Sequence, residues 1–394
     1  MNEQPKRVLF VATVVKTHIM TFHLPALKLF REMGWETAVA AKNDYEDPAD
    51  CRIPYCDTYF DIPFERAPYH PKNIQCYRQL KKVIDEGGYD LIHCHTPVGG
   101  VLGRLAARAA RKNGTRVFYT AHGFHFFRGA SLKNWLLYYP VEKACARLAD
   151  GILTINEEDC RLAQKRLKTK QVFQLSGVGV DVERFTNAQG KRQKLCDEYG
   201  IGADDNIILS VGELNENKNQ KVVLKSLTYA GMEQVHYLIA GEGALRQELE
   251  TYATELQVQD RVHFLGFRND VAELLKSSDI FVFPSRREGL PLSVMEAMAA
   301  GIPVVASRIR GNVDLIDEGT GGVLCDPEDA DAFAEGIVRL INDPELVTQI
   351  SEHNLSKISN YDKRVVTEQL RKVYMQYETS GADTIESGSA RSAG

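Results

Sequence analysis

The chain has 394 residues, of which 44% are hydrophobic and 26% are charged, and this content is sufficient for two domains of ordinary size. No signal peptide is expected, and no apolar run approaches the roughly 20 residues of a membrane-spanning helix, so a cytoplasmic or peripheral protein is predicted. The net charge of −5 is uneven: residues 1–180 have a net charge of +8 and residues 181–394 have −13. The basic half is expected to face anionic lipid or a lipid diphosphate, although solvated helix faces explain it equally well, and no nucleic-acid partner is expected.

Eight cysteines are scattered along the chain without a Cys-x-x-Cys pair, which predicts buried free thiols in a reducing compartment. Cys51 and Cys56 are close enough in sequence to share a metal ion. Neither a histidine nor a further cysteine lies at a partner spacing in the same loop, so no metal site is predicted there.

Short apolar runs alternate with amphipathic stretches along the first 180 residues. The stretches Leu24–Met33, Val101–Lys112 and Asn134–Leu148 predict helices. The apolar runs predict strands at Val8–Thr13, Glu36–Ala41, Leu91–Cys94, Val117–Thr120 and Gly151–Ile155. This alternation indicates an α/β fold with a parallel sheet covered by helices.

The pattern begins again after the segment 177–185, with strands predicted at Ile207–Val211, Val235–Ala240, Val262–Leu265, Ile280–Phe283 and Pro303–Ala306. Two Rossmann-like domains are therefore predicted, over residues 1–180 and 181–360. A last helical pattern over residues 361–378 is expected to pack back on the first domain. Residues 380–394 are small, polar and aperiodic, and are expected to be disordered.

His93-Cys-His95 ends a predicted strand, where alternation points both imidazoles in the same direction. The lining of a ligand cleft is favoured over a zinc site, because no third ligand is evident. His122 lies just past the next strand, in a run that also contains His125 and Arg128.

From Phe124 to Tyr139 the chain mixes aromatic residues, leucines and cations, as segments at a membrane interface do. This composition predicts contact with a lipid. A buried helix that packs its aromatic side chains in the core is the alternative, and both interpretations stay open.

In the second domain, Lys218 follows the first predicted strand, where open α/β sheets bind ligands. Its ammonium group is expected to neutralise a diphosphate. Gly241 and Gly243 follow the next strand, and small residues there allow the backbone to approach a ligand, although a plain tight turn explains them equally well.

Residues 287–305 contain Glu288 and Glu296 on either side of a helix start. Leu290-Pro-Leu-Ser293 is typical of a helix N-terminus, and Gly301-Ile-Pro303 is typical of a helix end. The two carboxylates are therefore expected roughly 10 Å apart, with free backbone N–H groups between them. A nucleotide-sugar diphosphate fits this arrangement, because each carboxylate can accept hydrogen bonds from sugar hydroxyls.

The Glu-x7-Glu spacing of Glu288 and Glu296 resembles the motif of the retaining glycosyltransferases of family 4. The resemblance covers most of the chain and includes the segments Tyr119–Gly123, Ser210–Asn219, Leu238–Arg246 and Val262–Phe267. The N-terminal half is most similar to bacterial capsular and exopolysaccharide enzymes that extend a sugar on an undecaprenyl-diphosphate carrier.

The resemblance implies a GT-B fold, two Rossmann-like domains facing each other across a cleft, and a UDP-sugar donor. It also implies catalytic roles for Glu288 at the sugar, Lys218 at the diphosphate and His122 near the reacting carbon. The donor-binding residues expected are Glu296 at the ribose, with Gly212, Glu213, Gly241, Gly243, Phe267, Arg268, Gly289, Leu290, Leu292 and Ser293. Acceptor binding is expected from Lys16, Thr17, His18, His125 and Arg128.

One position departs from the family pattern. Most members carry an arginine just after the first glycine of the Lys218 loop, whereas this chain has Glu213 after Gly212. Half of the expected phosphate clamp is therefore missing. The candidates that would compensate are Arg268, Arg286, Arg287 and Arg310, unless the donor is held differently.

Asp329-Ala-Asp331 has the spacing of an Asp-x-Asp metal site, but its context is typical of the acidic first turn of a helix. No metal or other cofactor is expected. Transfer is predicted to be metal-independent, with Lys218 and helix dipoles supplying the electrostatic stabilisation.

The sequence therefore predicts retaining transfer of a hexose or N-acetylhexosamine from a UDP-sugar to an undecaprenyl-diphosphate-linked saccharide, at the inner face of the plasma membrane. The donor phosphate is expected to assist deprotonation of the acceptor, because no residue stands out as a general base. Two alternatives stay open: a UDP-sugar epimerase or hydrolase of the same architecture, and a non-catalytic nucleotide-sugar-binding subunit of a polysaccharide assembly complex. A dinucleotide oxidoreductase is disfavoured, because no Gly-x-Gly-x-x-Gly follows the first strand.

Overall fold

The structure is a computed structural model that describes residues 4–386, with side chains described through residue 376. The chain divides into two compact units. The N-terminal domain extends to Val178 and includes the chain from Arg364 onward, and the C-terminal domain comprises Gly179–Lys363. The predicted boundaries at 180 and 360 lie close to these positions.

The N-terminal domain contains a seven-stranded sheet. Its strands are β1 Arg7–Val14, β2 Glu36–Lys42, β3 Thr58–Asp61, β4 Leu91–His95, β5 Arg116–Ala121, β6 Gly151–Thr154 and β7 Gln171–Gln174. All pair in parallel, in the order β3-β2-β1-β4-β5-β6-β7. The five predicted strands are confirmed. The two edge strands β3 and β7 were not predicted, because they are short and partly exposed and so lack a long apolar run.

Helices cover both faces of this sheet, as right-handed parallel crossovers require. They are α1 Leu24–Glu32, α2 Lys72–Gly87, α3 Pro97–Ala106, α4 Arg108–Lys112, α5 Leu132–Ala146 and α6 Glu157–Arg166, with a π-helical segment at Val15–His23 before α1. The single helix predicted over Val101–Lys112 is wrong in its start and its continuity. It begins at Pro97 because Thr96 caps it by accepting a hydrogen bond from the Gly99 N–H, and it is divided into α3 and α4.

The C-terminal domain repeats the plan with six parallel strands, in the order β10-β9-β8-β11-β12-β13. They are β8 Asn206–Val211, β9 Val235–Ala240, β10 Val262–Gly266, β11 Ile280–Phe283, β12 Val304–Ser307 and β13 Val323–Cys325. The helices are α7 Val182–Thr186, α8 Arg192–Tyr199, α9 Gln220–Ser226, α10 Arg246–Glu255, α11 Val271–Ser277, α12 Leu292–Ala300, α13 Asn312–Leu315, α14 Ala330–Asn342 and α15 Pro344–Ile358. The two domains are thus Rossmann-like, as predicted, and β13 is a further edge strand that the sequence did not indicate.

The last helix, α16, runs over Lys363–Glu386 and belongs to the N-terminal domain. The Tyr374 hydroxyl lies 2.7 Å from His93 Nδ1, and the Gln369 side chain accepts a hydrogen bond from the Ser176 N–H at 2.9 Å. The helix continues to Glu386, which is past the predicted end at 378 and within the segment 380–394 that was expected to be disordered. The remainder of that segment, residues 387–394, lies outside the described residues.

All eight cysteines are free thiols, as predicted, and six are buried. Cys51 and Cys56 are only partly buried, which corrects the expectation for those two. Over residues 4–386, no helix is long and apolar enough to cross a membrane.

Candidate functional site

The loop between β8 and α9 places Lys218 in the C-terminal domain. Asn219, the next residue, is buried in the left-handed conformation at φ 54°, which asparagine tolerates better than most residues. Its Nδ2 donates to the carbonyl of Pro284 at 3.3 Å and to that of Pro327 at 2.7 Å. These bonds fix the loop against the end of β11 and thereby fix the backbone that carries Lys218.

The Lys218 ammonium forms an ion pair with Glu288, at 2.8 Å between Nζ and Oε1. It also lies 4.6 Å from the centre of the Phe283 ring, a cation–π distance. Both side chains of the pair are partly exposed, at 21% for Lys218 and 16% for Glu288. The two residues predicted for diphosphate and sugar binding are therefore in contact and remain open to a ligand.

Glu288 lies in the loop after β11 and Glu296 lies within α12, as predicted. The helix begins after Pro291, which makes no side-chain cap, and it ends at Gly301 in the left-handed conformation. The first turn of a helix leaves backbone N–H groups without an intrahelical acceptor, and these favour an anion. Leu290 is buried, whereas Gly289, Leu292 and Ser293 are partly exposed along this turn.

Glu296 has an unusual protonation equilibrium. Burial raises the pKa of its carboxyl group to about 7, and the charge of Arg184 opposes this increase only in part. Near neutral pH the carboxyl group therefore exchanges between its neutral and ionised forms. Hydroxyl groups that donate hydrogen bonds to it would favour the ionised form.

The glycines after β8 and β9 are required by contact between two loops. A Cβ on Gly241 would lie 1.9 Å from the Gly212 carbonyl oxygen, and one on Gly243 would lie 2.3 Å from the Leu214 carbonyl oxygen. This close approach of the two loops explains the glycines without a ligand, and the approach of the backbone to a ligand stays a prediction. Gly212 lies beside Lys218, whose Cε would lie 3.2 Å from a Cβ on Gly212.

Glu213, at the position of the missing arginine, is exposed, and its carbonyl accepts a hydrogen bond from Gln220 Nε2 at 3.1 Å. Two of the arginines that could replace the missing one, Arg268 and Arg286, are held by carboxylates. Arg268 binds Asp270 at 2.7 and 2.6 Å through two nitrogens. Phe267, beside it, is 71% exposed, so this loop presents a free ring.

The other candidates lie on or near the Glu288 loop. Arg286 is also held by carboxylates, and binds Glu328 at 2.6 and 3.1 Å. Arg287 is exposed and its carbonyl accepts a hydrogen bond from Asn217. Arg310 is buried, and its Nε donates to the Glu288 carbonyl at 3.1 Å. Arg310 therefore contacts the loop that carries a predicted catalytic carboxylate.

Four histidines of the N-terminal domain form a group that we call the histidine cluster: His18, His23, His95 and His122. One ring nitrogen of each lies within 4.8 Å of one ring nitrogen of every other. His18 and His23 lie on the π-helical segment after β1, His95 ends β4, and His122 follows β5. The sequence showed no third ligand beside His93 and His95. The fold supplies three partners to His95, because β1, β4 and β5 are neighbours in the sheet.

Burial lowers the pKa of every imidazole in the histidine cluster. The pKa of His122 is lowered to about 4, and those of His18, His23 and His95 are lowered well below the usual value. Repulsion between the rings adds to the effect on the latter three. The rings are therefore neutral at pH 7 and each carries a nitrogen lone pair.

His93 lies beside the histidine cluster but does not belong to it. Its ring lies 4.1 Å from that of His95, so the predicted common direction of the two imidazoles is confirmed. Both of its nitrogens have partners, the Tyr374 hydroxyl at 2.7 Å and the Thr120 hydroxyl at 2.8 Å. His93 is thus hydrogen-bonded in the core, and together with His95 and His122 it lines a small cavity, which agrees with the predicted lining role.

The predicted acceptor residues Lys16 and Thr17 are held by Asp44. Its carboxylate accepts from the Lys16 N–H at 2.5 Å and from the Thr17 hydroxyl at 3.1 Å. Thr17 and His18 line a polar cavity together with Arg66, whose NH2 donates to the Thr17 hydroxyl at 3.4 Å.

His125 links this polar cavity to a second, mainly apolar one, because it lines both. Its ring stacks on Tyr138 at 4.5 Å. The apolar cavity is further lined by Tyr69, Val101, Leu102, Leu137 and Val141. Arg128 lines neither cavity; it is exposed, and its backbone N–H donates to Glu158.

For residues 124–139, the buried-core interpretation holds for the aromatic side chains, whereas the predicted contact with a lipid stays a prediction. Phe124 and Phe126 are buried, and Trp135 packs against the core. Leu132 and Leu136 are 73% and 69% exposed. The aromatic residues therefore build the core, and the leucines form an apolar surface.

Asp329 caps α14, and its carboxylate accepts hydrogen bonds from the N–H groups of Asp331 and Ala332 at 3.1 Å each. The predicted helix start is confirmed, and Asp329-Ala-Asp331 is accounted for without a metal.

Comparison with known proteins agrees with this arrangement. Residues 191–356 match the family described as glycosyl transferases group 1, and residues 26–173 match the glycosyl transferase 4-like domain. A relative in Bacillus subtilis, "Putative glycosyltransferase EpsD", is 42% identical over 376 residues, which are 94% of this chain and 97% of the relative. A UDP-Gal:alpha-D-GlcNAc-diphosphoundecaprenol alpha-1,3-galactosyltransferase of Escherichia coli is 30% identical over 73% of this chain and 76% of its own length.

Among solved structures, that of Anabaena HepE in complex with UDP and glucose superposes with a TM-score of 0.78 at 20% identity, over 94% of this chain and 100% of HepE. Such a likeness concerns the fold, which is GT-B, and the sequence matches establish the family. The chain belongs to the glycosyltransferases of family 4 and is similar to exopolysaccharide enzymes within it.

Proposed function

We propose that this glycosyltransferase moves a hexose or N-acetylhexosamine from a UDP-sugar to a saccharide carried on undecaprenyl diphosphate, with retention of configuration, in the synthesis of a capsule or exopolysaccharide. The observation that carries the proposal is the contact between Lys218 and Glu288 beside the first turn of α12. A cation and free helix N–H groups suit a diphosphate, and a neighbouring carboxylate suits the hydroxyls of the attached sugar.

In this mechanism Lys218 and the first turn of α12 bind the diphosphate as it leaves. Glu288 binds sugar hydroxyls, Glu296 binds the ribose, and His122 contacts the sugar near the reacting carbon. Arg310 takes the place of the arginine replaced by Glu213, because it is buried and its Nε donates to the Glu288 carbonyl. The diphosphate needs no divalent ion here, since fixed positive charge already opposes its charge.

The acceptor side is supported by the two adjoining cavities of the N-terminal domain. The polar one, with Thr17, His18 and Arg66, suits a phosphorylated sugar, and the apolar one suits the lipid attached to it. The related enzymes of Escherichia coli and Campylobacter jejuni are named for diphosphoundecaprenol-linked acceptors. We place the exposed leucines of α5, within the basic half of the chain, against the inner face of the plasma membrane.

The test is nucleotide release from a panel of UDP-, GDP- and ADP-sugars, with and without an undecaprenyl-linked saccharide fraction and without added divalent ions. Acceptor-dependent release of UDP from one donor is the expected result, and NMR of the product would report the configuration at the new linkage. Donor turnover without acceptor would instead identify an epimerase or hydrolase.

A non-catalytic nucleotide-sugar-binding subunit is the second candidate. It is favoured by Glu213, which puts a negative charge where a phosphate-binding arginine is expected. Binding of UDP-sugar without turnover on the authentic acceptor would support it and contradict the first proposal.

A further inference from the structure

The polar and the apolar cavity of the N-terminal domain meet at the start of α3. Pro97, Val98 and His125 line both cavities. The segment 66–69 follows the same boundary, since Arg66 lines the polar cavity and residues 68 and 69 line the apolar one. A molecule with a polar and an apolar part would therefore cross from one cavity to the other at this boundary. In an acceptor of the proposed kind, the group at that position is the diphosphate, because it joins the saccharide to the lipid.

The charge along the boundary is positive. Among the described residues that line the two cavities, Arg66 is the one arginine or lysine, and Glu142 is the one acidic residue. Both carboxylate oxygens of Glu142 are bound by Arg104. An anionic group that enters therefore meets one guanidinium group and no unpaired carboxylate among the lining residues.

The guanidinium group of Arg66 has unused hydrogen-bonding capacity. Among the described residues, its one hydrogen-bond partner is the Thr17 hydroxyl, to which NH2 donates at 3.4 Å. Arg31, Arg104 and Arg111 of the same domain are each paired with a carboxylate instead. A guanidinium group carries five N–H donors and stays ionised at neutral pH, and two of its N–H groups match two phosphate oxygens. Arg66 can therefore bind a phosphate without losing an ion pair.

Thr17 orients Arg66, and Asp44 orients Thr17. The Asp44 carboxylate accepts hydrogen bonds from the N–H groups of Lys16 and Thr17 at 2.5 and 3.3 Å and from the Thr17 hydroxyl at 3.1 Å. Because the Thr17 hydroxyl donates to Asp44, its oxygen is left to accept from Arg66. Asp44 itself lines neither cavity, and its three hydrogen bonds disperse its negative charge.

Two further features suit an anion that is attached to a polar group. The first turn of α3 leaves backbone N–H groups without an intrahelical acceptor, and Thr96 fixes this turn by accepting from the N–H groups of Gly99 and Thr13 at 3.3 and 3.2 Å. The Nε2 atom of His18, which lines the polar cavity, is buried and has no hydrogen-bond partner among the described residues. A sugar hydroxyl in the polar cavity would supply this partner, in agreement with the assignment of His18 to the acceptor.

We propose that Arg66 binds the diphosphate of the acceptor where the two cavities meet, and that it makes the enzyme selective for a diphosphate-linked lipid. This inference rests on the proposed function, because it assigns a residue to the acceptor named there. It goes further by separating two diphosphate sites, one at Lys218 in the C-terminal domain for the donor and one at Arg66 in the N-terminal domain for the acceptor.

The first experiment measures binding without turnover, by calorimetric titration of the full chain with farnesyl diphosphate and with farnesol. We expect the diphosphate to bind about 10–100-fold more tightly, and Arg66→Ala to lose this difference, because charge-assisted hydrogen bonds are removed. Arg66 is exposed, so the variant is expected to fold. Arg78→Ala, on the exposed face of α2, is the control and should bind like the wild type. Lys218→Ala should also retain binding, since the probe would lie in the other domain.

Two results of this titration would overturn the proposal. The first is equal affinity of Arg66→Ala and the wild type for farnesyl diphosphate. The second is a loss of binding in Lys218→Ala but not in Arg66→Ala, which would place the probe at the donor site. Vesicles containing anionic lipid test a different source of phosphate. If Arg66→Ala weakened vesicle binding but not the binding of farnesyl diphosphate, Arg66 would be a contact for lipid headgroups instead.

Steady-state kinetics then separates this inference from the proposed function. Arg66→Ala should raise KM for the undecaprenyl-diphosphate-linked acceptor by about tenfold or more and leave KM for the UDP-sugar unchanged. Arg66→Lys should restore part of the loss, because it keeps the charge but not the paired N–H groups. Transfer with an unchanged acceptor KM in Arg66→Ala would refute the role of Arg66 and leave the proposed function intact. Binding of farnesyl diphosphate that depends on Arg66, in a protein that transfers no sugar, would support the site and contradict the proposed function.

Discussion

Two ion pairs, one in each domain, differ in their exposure: Arg104–Glu142 is buried and Lys218–Glu288 is partly exposed. In the N-terminal domain, Arg104 is fully buried and binds both carboxylate oxygens of Glu142; its Nε donates to the Gly100 carbonyl, and its guanidinium lies 3.9 Å from the Tyr119 ring centre. In the C-terminal domain, Lys218 and Glu288 share one contact and stay partly exposed. The buried pair makes several hydrogen bonds within the protein and supports the fold. The partly exposed pair makes one contact next to a helix N-terminus, so its remaining hydrogen-bonding atoms can bind a ligand.

The largest effect is expected from breaking the buried pair. Glu142→Ala leaves the Arg104 charge buried without its partner, which should cost about 3–5 kcal/mol and lower the Tm of the N-terminal domain by roughly 10 °C. The exposed pair Lys81–Asp85 is the control, and Asp85→Ala should cost less than about 0.5 kcal/mol. Thermal unfolding followed by calorimetry measures both. Equal costs would remove the distinction between buried and exposed pairs.

Breaking the Lys218–Glu288 pair should affect activity instead of folding. Lys218→Ala is expected to lower kcat by about 10²–10³-fold, because charge on the leaving diphosphate is no longer opposed, with little change in Tm. Lys221, three residues on and paired with Glu248, is the matched control. Steady-state UDP release distinguishes the two variants. If Lys221→Ala lost as much activity as Lys218→Ala, general surface charge would be responsible.

Glu296 combines both kinds of effect in one residue. Its ionised carboxylate should destabilise the fold and strengthen donor binding. Its folded pKa of about 7 lies above the ordinary value of 4.5, so its contribution to stability is complete below pH 4.5 and is lost as the pH rises through 7. Glu296→Gln should therefore be more stable than the wild type at pH 8, by about 1–2 kcal/mol after allowance for partial exposure.

Donor binding should depend on pH in the opposite direction to stability. Affinity of the wild type for a UDP-sugar should increase roughly tenfold from pH 6 to pH 8, as the carboxylate ionises, and Glu296→Gln should bind weakly at both pH values. Calorimetric titration measures this, with Glu255→Gln on the exposed face of α10 as the control. A wild-type affinity independent of pH would contradict the assignment of Glu296 to the ribose.

The smallest effect concerns the apolar surface of α5. Replacing Leu132 and Leu136 together by serine should weaken binding to vesicles containing anionic lipid by about tenfold, since each leucine loses part of its transfer free energy. Val313→Ser removes an exposed apolar side chain from the C-terminal domain and should have no effect. Vesicle sedimentation measures both, and unchanged binding of the double variant would exclude α5 as the membrane contact.

Much of the fold could be predicted from the sequence. The buried strands carry continuous apolar runs, and α12 has its start and end signals within a dozen residues. Both features are local, because strand burial and helix capping depend on near neighbours in the chain. The edge strands β3 and β7 escaped prediction because they are short and only partly buried, and β13 escaped it because it has only three residues.

In the candidate site, too, some features could be predicted from local sequence and others could not. The sequence by itself determined the positions of Lys218, Glu288 and Glu296 at strand and helix ends, because these follow from local patterns. Only the tertiary structure decided which groups meet: Lys218 with Glu288, Arg310 with the Glu288 loop, and the four histidines with one another. Those contacts join residues that are far apart in the chain, and parallel sheet topology, which places the ends of β1, β4 and β5 side by side, is not encoded in any short segment.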